Sequence, residues 1–301
     1  MVNILNFQMI WSIFLRKHYL NESKPLIIKG FAELFPAGEL WTFDYLNNKM
    51  GNHLVGIFDN TKIKNTAYTS PDLQMKFSEF SRIIQRDEVT PYRIFLFNMF
   101  KEFPELRKDF PTPGLVKGIL GNLGLTFFGG KNTTVRFHYD IDCSSVLMTQ
   151  LIGRKRVILI SPEYDKLIYK VPFTSFSLID PVKPDYEKFP ALRYVKGYDF
   201  ILDPGDALFM PSRYWHFNTY LEGGMAVSYR VIANKPLDVY NGIMNTTLRL
   251  LYDKMMNKLL GDLWMKRKTK IAIDNANSIL SNINKEPEEV IIAQEAQRAI
   301  L

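Results

Sequence analysis

The sequence has few of the residues that form covalent cross-links or bind transition metals. One of its 301 residues is a cysteine, Cys143, so no disulfide can form within the chain, and the cysteine content does not favour secretion. Only four residues are histidines: His18, His53, His138 and His216. Any histidine-based site must be drawn from this small set.

Long apolar runs are also missing. The first 15 residues, MVNILNFQMIWSIFL, are apolar, but no basic segment precedes the run and no small-residue cleavage site follows it. The run is too short and too interrupted to span a bilayer. We therefore expect an amphipathic helix packed on the body of the protein, no membrane association and a cytoplasmic location.

Positive charge is only slightly in excess. The formal net charge is +7, and the basic residues are scattered, with their densest cluster in WMKRKTK at 264–270. An excess of this size is compatible with nucleic acid or an acidic protein surface as a partner, but it requires neither. We interpret the cluster as a solvated helix face.

Short strands are predicted throughout the segment from about residue 125 to 233. Apolar runs such as VLMTQLI, KRVILISP and MAVSYRVIA are separated there by glycine, proline and aspartate. Apolar residues make up 47% of the chain, which is enough for a large core. Many short strands at this spacing are typical of a β-sandwich or barrel.

Mixed structure precedes this segment, and helices follow it. Strand patterns occur in KPLIIKG (24–30), HLVGIFDN (53–60) and YRIFLFNMF (92–100), and LQMKFSEFSRIIQRD (73–87) has a helical pattern. After Pro236 the apolar residues recur at helical spacing, and the closing KEPEEVIIAQEAQRAIL predicts a short amphipathic helix. The sequence therefore predicts a mainly β fold with flanking helices.

The stretch RFHYDIDCSS, residues 136–145, contains a candidate metal-binding pair. Alternate side chains of a strand point to the same face, so His138 and Asp140 stand side by side while Tyr139 points away. The pair can chelate a metal if a third ligand exists, and otherwise it is two polar strand residues. The same alternation points Asp142 inward, where it binds substrate, holds a water or is simply a polar residue.

His216, in LDPGDALFMPSRYWHF (202–217), is the candidate third ligand. The DPGD turn starts a short strand that stops at Pro211, and His216 begins the next strand. Two ligands on one strand and a third on a distant strand form a two-histidine, one-carboxylate triad. Such a triad suits Fe(II) and leaves three coordination positions open. The alternative for His216 is a core histidine.

Four longer motifs surround these residues: FFGGKNTTVRFHYD, QLIGRKRVILISP, DYEKFPALRYVKGYDFILDPGDALFMPSRYWH and GGMAVSYRV. Together they resemble the JmjC and cupin-like Fe(II)/2-oxoglutarate-dependent oxygenases, in particular the asparaginyl hydroxylase of hypoxia-inducible factor and the tRNA wybutosine hydroxylase. The resemblance implies that His138, Asp140 and His216 are the iron ligands. It also implies a double-stranded β-helix (jelly-roll) core at about 125–233, in an oxygenase domain over 1–235, followed by a helical region over 236–301.

The resemblance further implies 2-oxoglutarate and O2 as cosubstrates. Lys155 lies where relatives carry the lysine that binds the distal carboxylate of 2-oxoglutarate. Arg230 is its rival, because alternation in AVSYRV lets that residue reach the same pocket. The segment before Lys155 is longer than in relatives, which leaves open whether Ser144 or Val146 takes the place of a polar residue that assists 2-oxoglutarate.

The implied reaction is hydroxylation of an unactivated C–H bond, with succinate and CO2 as coproducts. We expect a protein or peptide side chain as substrate. The alternatives are a tRNA nucleoside, or a metal-binding cupin without oxygenase activity. The apolar stripe through Ile243, Leu251 and Leu259 must also be covered, either by the protein's own barrel or by a second copy. We expect a homodimer through these helices, as in the asparaginyl hydroxylase.

Overall fold

The computed structural model of the chain describes residues 16–62, 70–115, 118–281, 283 and 298–300. The amphipathic helix expected over the first 15 residues lies outside these ranges. The first described residues, Arg16–Leu20, form a single π-helical turn.

Two β-sheets form the centre of the protein. In the described chain the strands are β1 Leu26–Lys29, β2 Leu54–Asp59, β3 Leu73–Lys76, β4 Tyr92–Phe97, β5 Ile119–Gly129, β6 Thr134–His138, β7 Ser145–Ile152, β8 Lys155–Ile160, β9 Gly197–Leu202, β10 Ala207–Met210, β11 Trp215–Tyr220, β12 Gly224–Val231 and β13 Arg298–Ile300. The larger sheet has the order β13-β1-β10-β7-β12-β5-β4-β2-β3, and the smaller has the order β6-β11-β8-β9. The pairs are antiparallel except β1 with β13. The mainly β prediction is confirmed, and the arrangement is consistent with a jelly-roll core.

Helices flank the sheets on the N-terminal and C-terminal sides. The described α-helices are α1 Ala37–Leu40, α2 Phe43–Met50, α3 Phe77–Ile84, α4 Met99–Glu102, α5 Pro236–Met244, α6 Leu250–Leu260 and α7 Asp262–Leu280. Short 3-10 helices lie at Phe31–Leu34, Pro104–Arg107, Pro162–Tyr164 and Pro190–Tyr194, and the π-helical segment Asn245–Arg249 joins α5 to α6. The helical pattern expected after Pro236 is therefore confirmed for α5 to α7.

The helix predicted over 73–87 is wrong for its first four residues. Leu73–Lys76 form β3, which pairs antiparallel with β2 so that Leu54 lies opposite Lys76. Exposure alternates along β3, as expected for a strand at the edge of a sheet. Helix α3 begins only at Phe77, because the hydrogen bonds to β2 override the local helical pattern.

The core is divided by the sheets into layers. Phe77 and Phe80 of α3 pack against Phe128 of the larger sheet, and the Phe77 and Phe128 ring centroids are 5.3 Å apart. A separate cluster between the sheets contains Met148 and Leu208. Apolar residues thus fill most of the barrel, so its few inward polar groups stand out.

A buried charged cluster holds the two long C-terminal helices together. Asp253 of α6 accepts hydrogen bonds from Lys268 Nζ at 2.7 Å and from Trp264 Nε1 at 2.8 Å, both on α7. Lys268 is only 1% exposed. The ring of Phe173, in a loop of the barrel, lies 5.7 Å from that of Trp264, so the helical hairpin also contacts the β core.

The closing segment differs from its prediction. Residues 298–300 form strand β13 and pair with β1, so a helix is wrong at these positions. The remainder of the predicted closing helix lies outside the described residues. Among the helices that the structure describes, each is too short or too polar to cross a bilayer.

Replacing Asp253 should destabilise the protein strongly. Asp253→Ala leaves the Lys268 ammonium buried without its carboxylate, which we expect to lower the free energy of unfolding by about 3 kcal/mol. Urea denaturation of both proteins measures the difference. The matched control is Asp274→Ala, whose partner Lys270 is 76% exposed, and its loss should be below about 1 kcal/mol. Equal losses in the two variants would contradict a stabilising role for the buried pair.

Candidate metal centre

The pairing of β6 with β11 brings two histidines together. In this antiparallel pair His138 lies directly opposite His216, and the centroids of their rings are 4.2 Å apart. The register shifts just beyond, between His216 and Asn218. The two imidazoles therefore share one end of the smaller sheet.

Asp140 joins them from a turn rather than from the strand. The sequence places Asp140 on the same strand as His138, but β6 ends at His138. Beyond that end, the carbonyl of Asp140 accepts a hydrogen bond from the Cys143 backbone N–H at 2.9 Å, which closes a turn. The structure corrects the strand assignment and still brings the carboxylate to the two histidines.

These three side chains form a compact set of potential ligands. One ligand atom from each of His138, Asp140 and His216 lies within 4.8 Å of the others. The direct distance from His138 Nε2 to Asp140 Oδ1 is 4.0 Å. A metal ion could contact all three atoms after small movements of the side chains.

Backbone carbonyls orient both imidazole rings. Nδ1 of His138 lies 2.6 Å from the carbonyl oxygen of Arg136, and Nδ1 of His216 lies 3.1 Å from that of Tyr214. A carbonyl only accepts, so each Nδ1 carries the proton and donates it. This leaves the lone pair of each Nε2 free for a metal, as in most histidine metal sites.

Burial sets the protonation states that a metal requires. Burial, with a smaller contribution from His216, lowers the pKa of His138 to about 3, and burial also lowers the pKa of His216. Burial raises the pKa of Asp140, but the nearby Arg230 and His216 outweigh this effect and hold it well below its usual value. Two neutral imidazoles and one carboxylate are a donor set that fits Fe(II).

Arg230 forms a two-pronged ion pair with Asp140. Its Nη1 donates to Asp140 Oδ2, its Nη2 donates to Asp140 Oδ1 at 3.0 Å, and Nη1 also lies 3.3 Å from Ser144 Oγ. Asp142 is at the edge of this group, with its Oδ1 accepting from Ser144 Oγ at 3.0 Å and its side chain 42% exposed. Arg230 and Ser144 therefore lie beside the carboxylate, and Asp142 lies at the margin of the site instead of fully inside.

Lys155 lies deep in the barrel, 2% exposed. Its Nζ is 4.3 Å from the centroid of the Tyr220 ring and 4.0 Å from Met148 Sδ. Among the described residues no carboxylate pairs with it, and burial lowers its pKa to about 7. A buried cation of this kind is unfavourable unless an anion joins it, so the inner pocket is suited to a carboxylate.

Two polar residues of the inner pocket were missed by sequence reasoning. Asn218 Oδ1 and Tyr220 OH are buried and have no hydrogen-bond partner in the described structure. Both line the pocket that runs from the metal-ligand set to Lys155. The signal was available, because both follow His216 at the two-residue period of β11. Val146 also lines this pocket, whereas Ser144 does not.

A larger open cleft lies on the other side of the ligand set. It has a volume of about 810 Å³, compared with about 70 Å³ for the inner pocket. His138, Asp140 and Arg230 line both the inner pocket and the open cleft. The candidate metal centre therefore separates a small inner pocket with a basic end from a cleft large enough for part of a macromolecule.

Binding of 2-oxoglutarate should depend on pH through Lys155. Carboxylate binding requires the protonated ammonium, so affinity should be full below about pH 7 and fall up to about tenfold per pH unit above it. Calorimetry on the Zn(II)-loaded protein measures this. Lys155→Arg should remove the pH dependence, and Lys155→Met should weaken binding by one to two powers of ten, about 1.5–3 kcal/mol. A larger loss in Arg230→Met than in Lys155→Met would reverse the assignment.

Comparisons with known proteins agree with this architecture. A family model described as "Cupin-like domain" matches residues 12–229. The chain is 29% identical over 230 residues to lysine-specific demethylase 8 of Danio rerio, an alignment covering 71% of this chain and 54% of that protein. It is 24% identical over 232 residues to tRNA wybutosine-synthesizing protein 5 of Homo sapiens, covering 70% and 72%.

A third relative is Jumonji C domain-containing protein 5 of Drosophila melanogaster, 33% identical over 208 residues, with 64% of this chain and 51% of that protein covered. The chain spans about half the length of the lysine-specific demethylase 8 proteins it matches. The similarity therefore concerns the shared domain.

Proposed function

This chain belongs to the cupin-like domain family, and from that premise we propose that it is an Fe(II)- and 2-oxoglutarate-dependent oxygenase that hydroxylates a side chain of a protein or peptide. The observation that carries the proposal is the placement of a two-histidine, one-carboxylate set beside a pocket that ends at a buried lysine with no carboxylate partner among the described residues. The two histidines and the carboxylate suit Fe(II), and the buried lysine suits a carboxylate of 2-oxoglutarate.

Each residue of the site has a defined part in this proposal. His138, Asp140 and His216 would hold the metal through two Nε2 atoms and a carboxylate oxygen. Bound Fe(II), with 2-oxoglutarate and O2, supplies the oxidation that converts a C–H bond to C–OH and releases succinate and CO2. Lys155 pairs with the distal carboxylate, and the apolar walls around it keep water from that ion pair.

Arg230 positions Asp140 rather than binding the cosubstrate. Its two hydrogen bonds fix the plane of the carboxylate, so one oxygen is directed toward the histidines. The same ion pair keeps Asp140 ionised, which metal binding requires. This role explains why an arginine sits at the boundary of the two cavities.

A tRNA nucleoside is the second candidate substrate. Two observations favour it: the match to tRNA wybutosine-synthesizing protein 5 covers 72% of that protein, and the chain carries a net charge of +7. The names of the lysine-specific demethylases support action on an amino-acid side chain. We place the peptide first because the described side chains that line the cleft beside the ligand set carry no net charge.

Loss of a metal ligand should abolish both metal binding and turnover. The wild type should bind one Fe(II) per chain, and His138→Ala or Asp140→Ala should weaken binding and stop succinate formation. Anaerobic metal titration measures the first effect, and succinate release with oxygen uptake measures the second. His53→Ala, which changes a histidine away from the site, is the control and should leave both unchanged.

The outcomes separate the three candidate functions. Full succinate production by Asp140→Ala would show that the ligand set is wrong. Stoichiometric metal binding without any succinate would identify a metal-binding cupin without oxygenase activity. Mass spectrometry of proteins and tRNA after incubation with Fe(II) and 2-oxoglutarate, searching for a gain of one oxygen, distinguishes the peptide from the nucleoside.

We also propose that the protein forms a twofold dimer through α5 and α6. The apolar side chains of this region remain exposed, with Leu251 at 63%, Leu259 at 69% and Ile243 at 58%. The alternative is that these residues pack against the protein's own barrel. In the described structure the barrel does not cover them. An exposed apolar patch of this size is unusual on a monomer, and a helical face can pair with its own copy.

Charge introduced on this face should dissociate the dimer. Light scattering should give the mass of two chains for the wild type at micromolar concentration, and that of one chain for the Leu251→Arg, Leu259→Arg double variant. Leu54→Arg is the control, because Leu54 is 59% exposed on the distant strand β2. A monomeric wild type would refute the proposal, and a dimer that survives both arginines would place the interface elsewhere.

A further inference from the structure

The open cleft beside the candidate metal centre contains two arginines that have no acidic partner among the described residues. Arg93 lies on β4 and Arg136 on β6, and both line the cleft. Within the described parts of the chain, no carboxylate forms an ion pair with either guanidinium. The other basic residues of the cleft are already paired, Lys62 with Asp72 at 3.9 Å and Arg230 with Asp140.

Arg93 is the more buried of the two. Its Nε is shielded from solvent and has no hydrogen-bond acceptor in the described structure. The guanidinium lies over the ring of Phe95, 5.0 Å from its centroid. Burial lowers the pKa of Arg93. A buried N–H group without a hydrogen-bond acceptor is energetically unfavourable, and the described structure supplies no acceptor for this one.

Arg136 is placed close to the ligand set. It precedes His138 by two residues on β6, and both residues line the cleft. Its guanidinium stacks on the ring of Phe176 at 3.4 Å from the centroid. The ring orients the fork of N–H donors, which matches a planar carboxylate.

The two arginine-bearing walls are joined near these residues. Asn60, which directly follows β2, donates a hydrogen bond to the carbonyl of Thr134 in β6 at 2.8 Å. Within the larger sheet, Phe58 of β2 lies opposite Arg93 of β4. The strands that carry Arg93 and Arg136 therefore both border one cleft.

The overall charge of the cleft argues against a polyanion as its occupant. Its described lining contains four basic side chains (Lys62, Arg93, Arg136 and Arg230) and four acidic ones (Asp59, Asp72, Asp140 and Asp142). A nucleic-acid strand, with a phosphate at every nucleotide, gains most from an excess of positive charge. The described charges of the cleft cancel, but two of its arginines have no carboxylate partner among the described residues. Such a cleft fits a ligand with a single acidic group better than one with many negative charges.

We infer that the cleft binds a peptide with an acidic side chain close to the residue that is hydroxylated, and that Arg93 and Arg136 bind its carboxylate. The inference rests on the proposed function, since it names the kind of peptide that the same site accepts. An aspartate or glutamate gives the Arg93 guanidinium, which lines the cleft, the carboxylate partner that it lacks among the described residues. The rings of Phe95 and Phe176 lie against the two guanidinium groups and hold them in place by cation–π contact.

A peptide selection that does not need turnover tests the inference. The immobilised full chain, loaded with Zn(II) and 2-oxoglutarate, is incubated with a degenerate peptide library, and the retained peptides are sequenced by mass spectrometry. The wild type should enrich aspartate and glutamate at one or more positions by about tenfold, the size of a charge-assisted hydrogen bond. Arg93→Met and Arg136→Met should each lose most of this enrichment, and Arg136→Glu should select basic residues instead.

Matched controls separate recognition from folding. Lys62→Met removes a cation that is already paired and should leave the selection unchanged. Arg93→Met should not lower the melting temperature, because the replaced guanidinium has no acidic partner in the described structure, whereas a structural role would lower it. Succinate formation is measured separately, so failure of the proposed oxygenase activity does not hide the selection result.

Two outcomes would overturn the inference. The first is a wild type that shows no acidic preference, or one whose preference survives both methionine substitutions. The second is preferential retention of random oligoribonucleotides over peptides, lost in the same arginine variants, which would assign the cleft to nucleic acid.

Discussion

The antiparallel pairing of β11 with its two neighbours aligns the two histidines of the candidate site with each other and Tyr220 with Lys155. On one side β11 pairs with β6, which puts His216 opposite His138. On the other side it pairs with β8, which puts Tyr220 opposite Lys155. A slip of one residue in either register would turn an inward side chain outward, because the side-chain period of a strand is two. The metal-ligand end and the lysine end of the inner pocket therefore depend on the register of a single strand, over about 13 Å.

Unpaired positive charge is the second common feature of the site. Lys155 in the inner pocket and Arg93 and Arg136 in the cleft have no carboxylate partner in the described chain, whereas Arg230 is paired with Asp140. Lys155 is buried, Arg93 is partly buried and Arg136 is exposed, and positive charge on both sides of the ligand set suits anionic ligands. In our proposals the inner anion is the cosubstrate and the outer anion belongs to the peptide.

Local patterns in the sequence predicted much of this architecture. The alternating strands, the turn at DPGD and the helical spacing after Pro236 each depend on interactions between near neighbours, and the structure confirms these elements. The resemblance to cupin-like oxygenases is confirmed by the match over residues 12–229. The helix predicted at Leu73–Lys76 is wrong, because hydrogen bonds to a strand 22 residues away (76 − 54) outweigh the local pattern.

Residue types and strand periodicity nominated His138, Asp140, His216 and Arg230, although Asp140 lies in a turn beyond β6. Lys155 was nominated by the resemblance to cupin-like oxygenases. The sequence alone could not say which basic residue faces which anion. That choice depends on the barrel: β12 directs Arg230 to Asp140, and β8 buries Lys155 against Tyr220. The unpaired state of Arg93 and Arg136 is likewise a property of tertiary structure, because the absence of a carboxylate around a side chain is decided by residues distant in sequence.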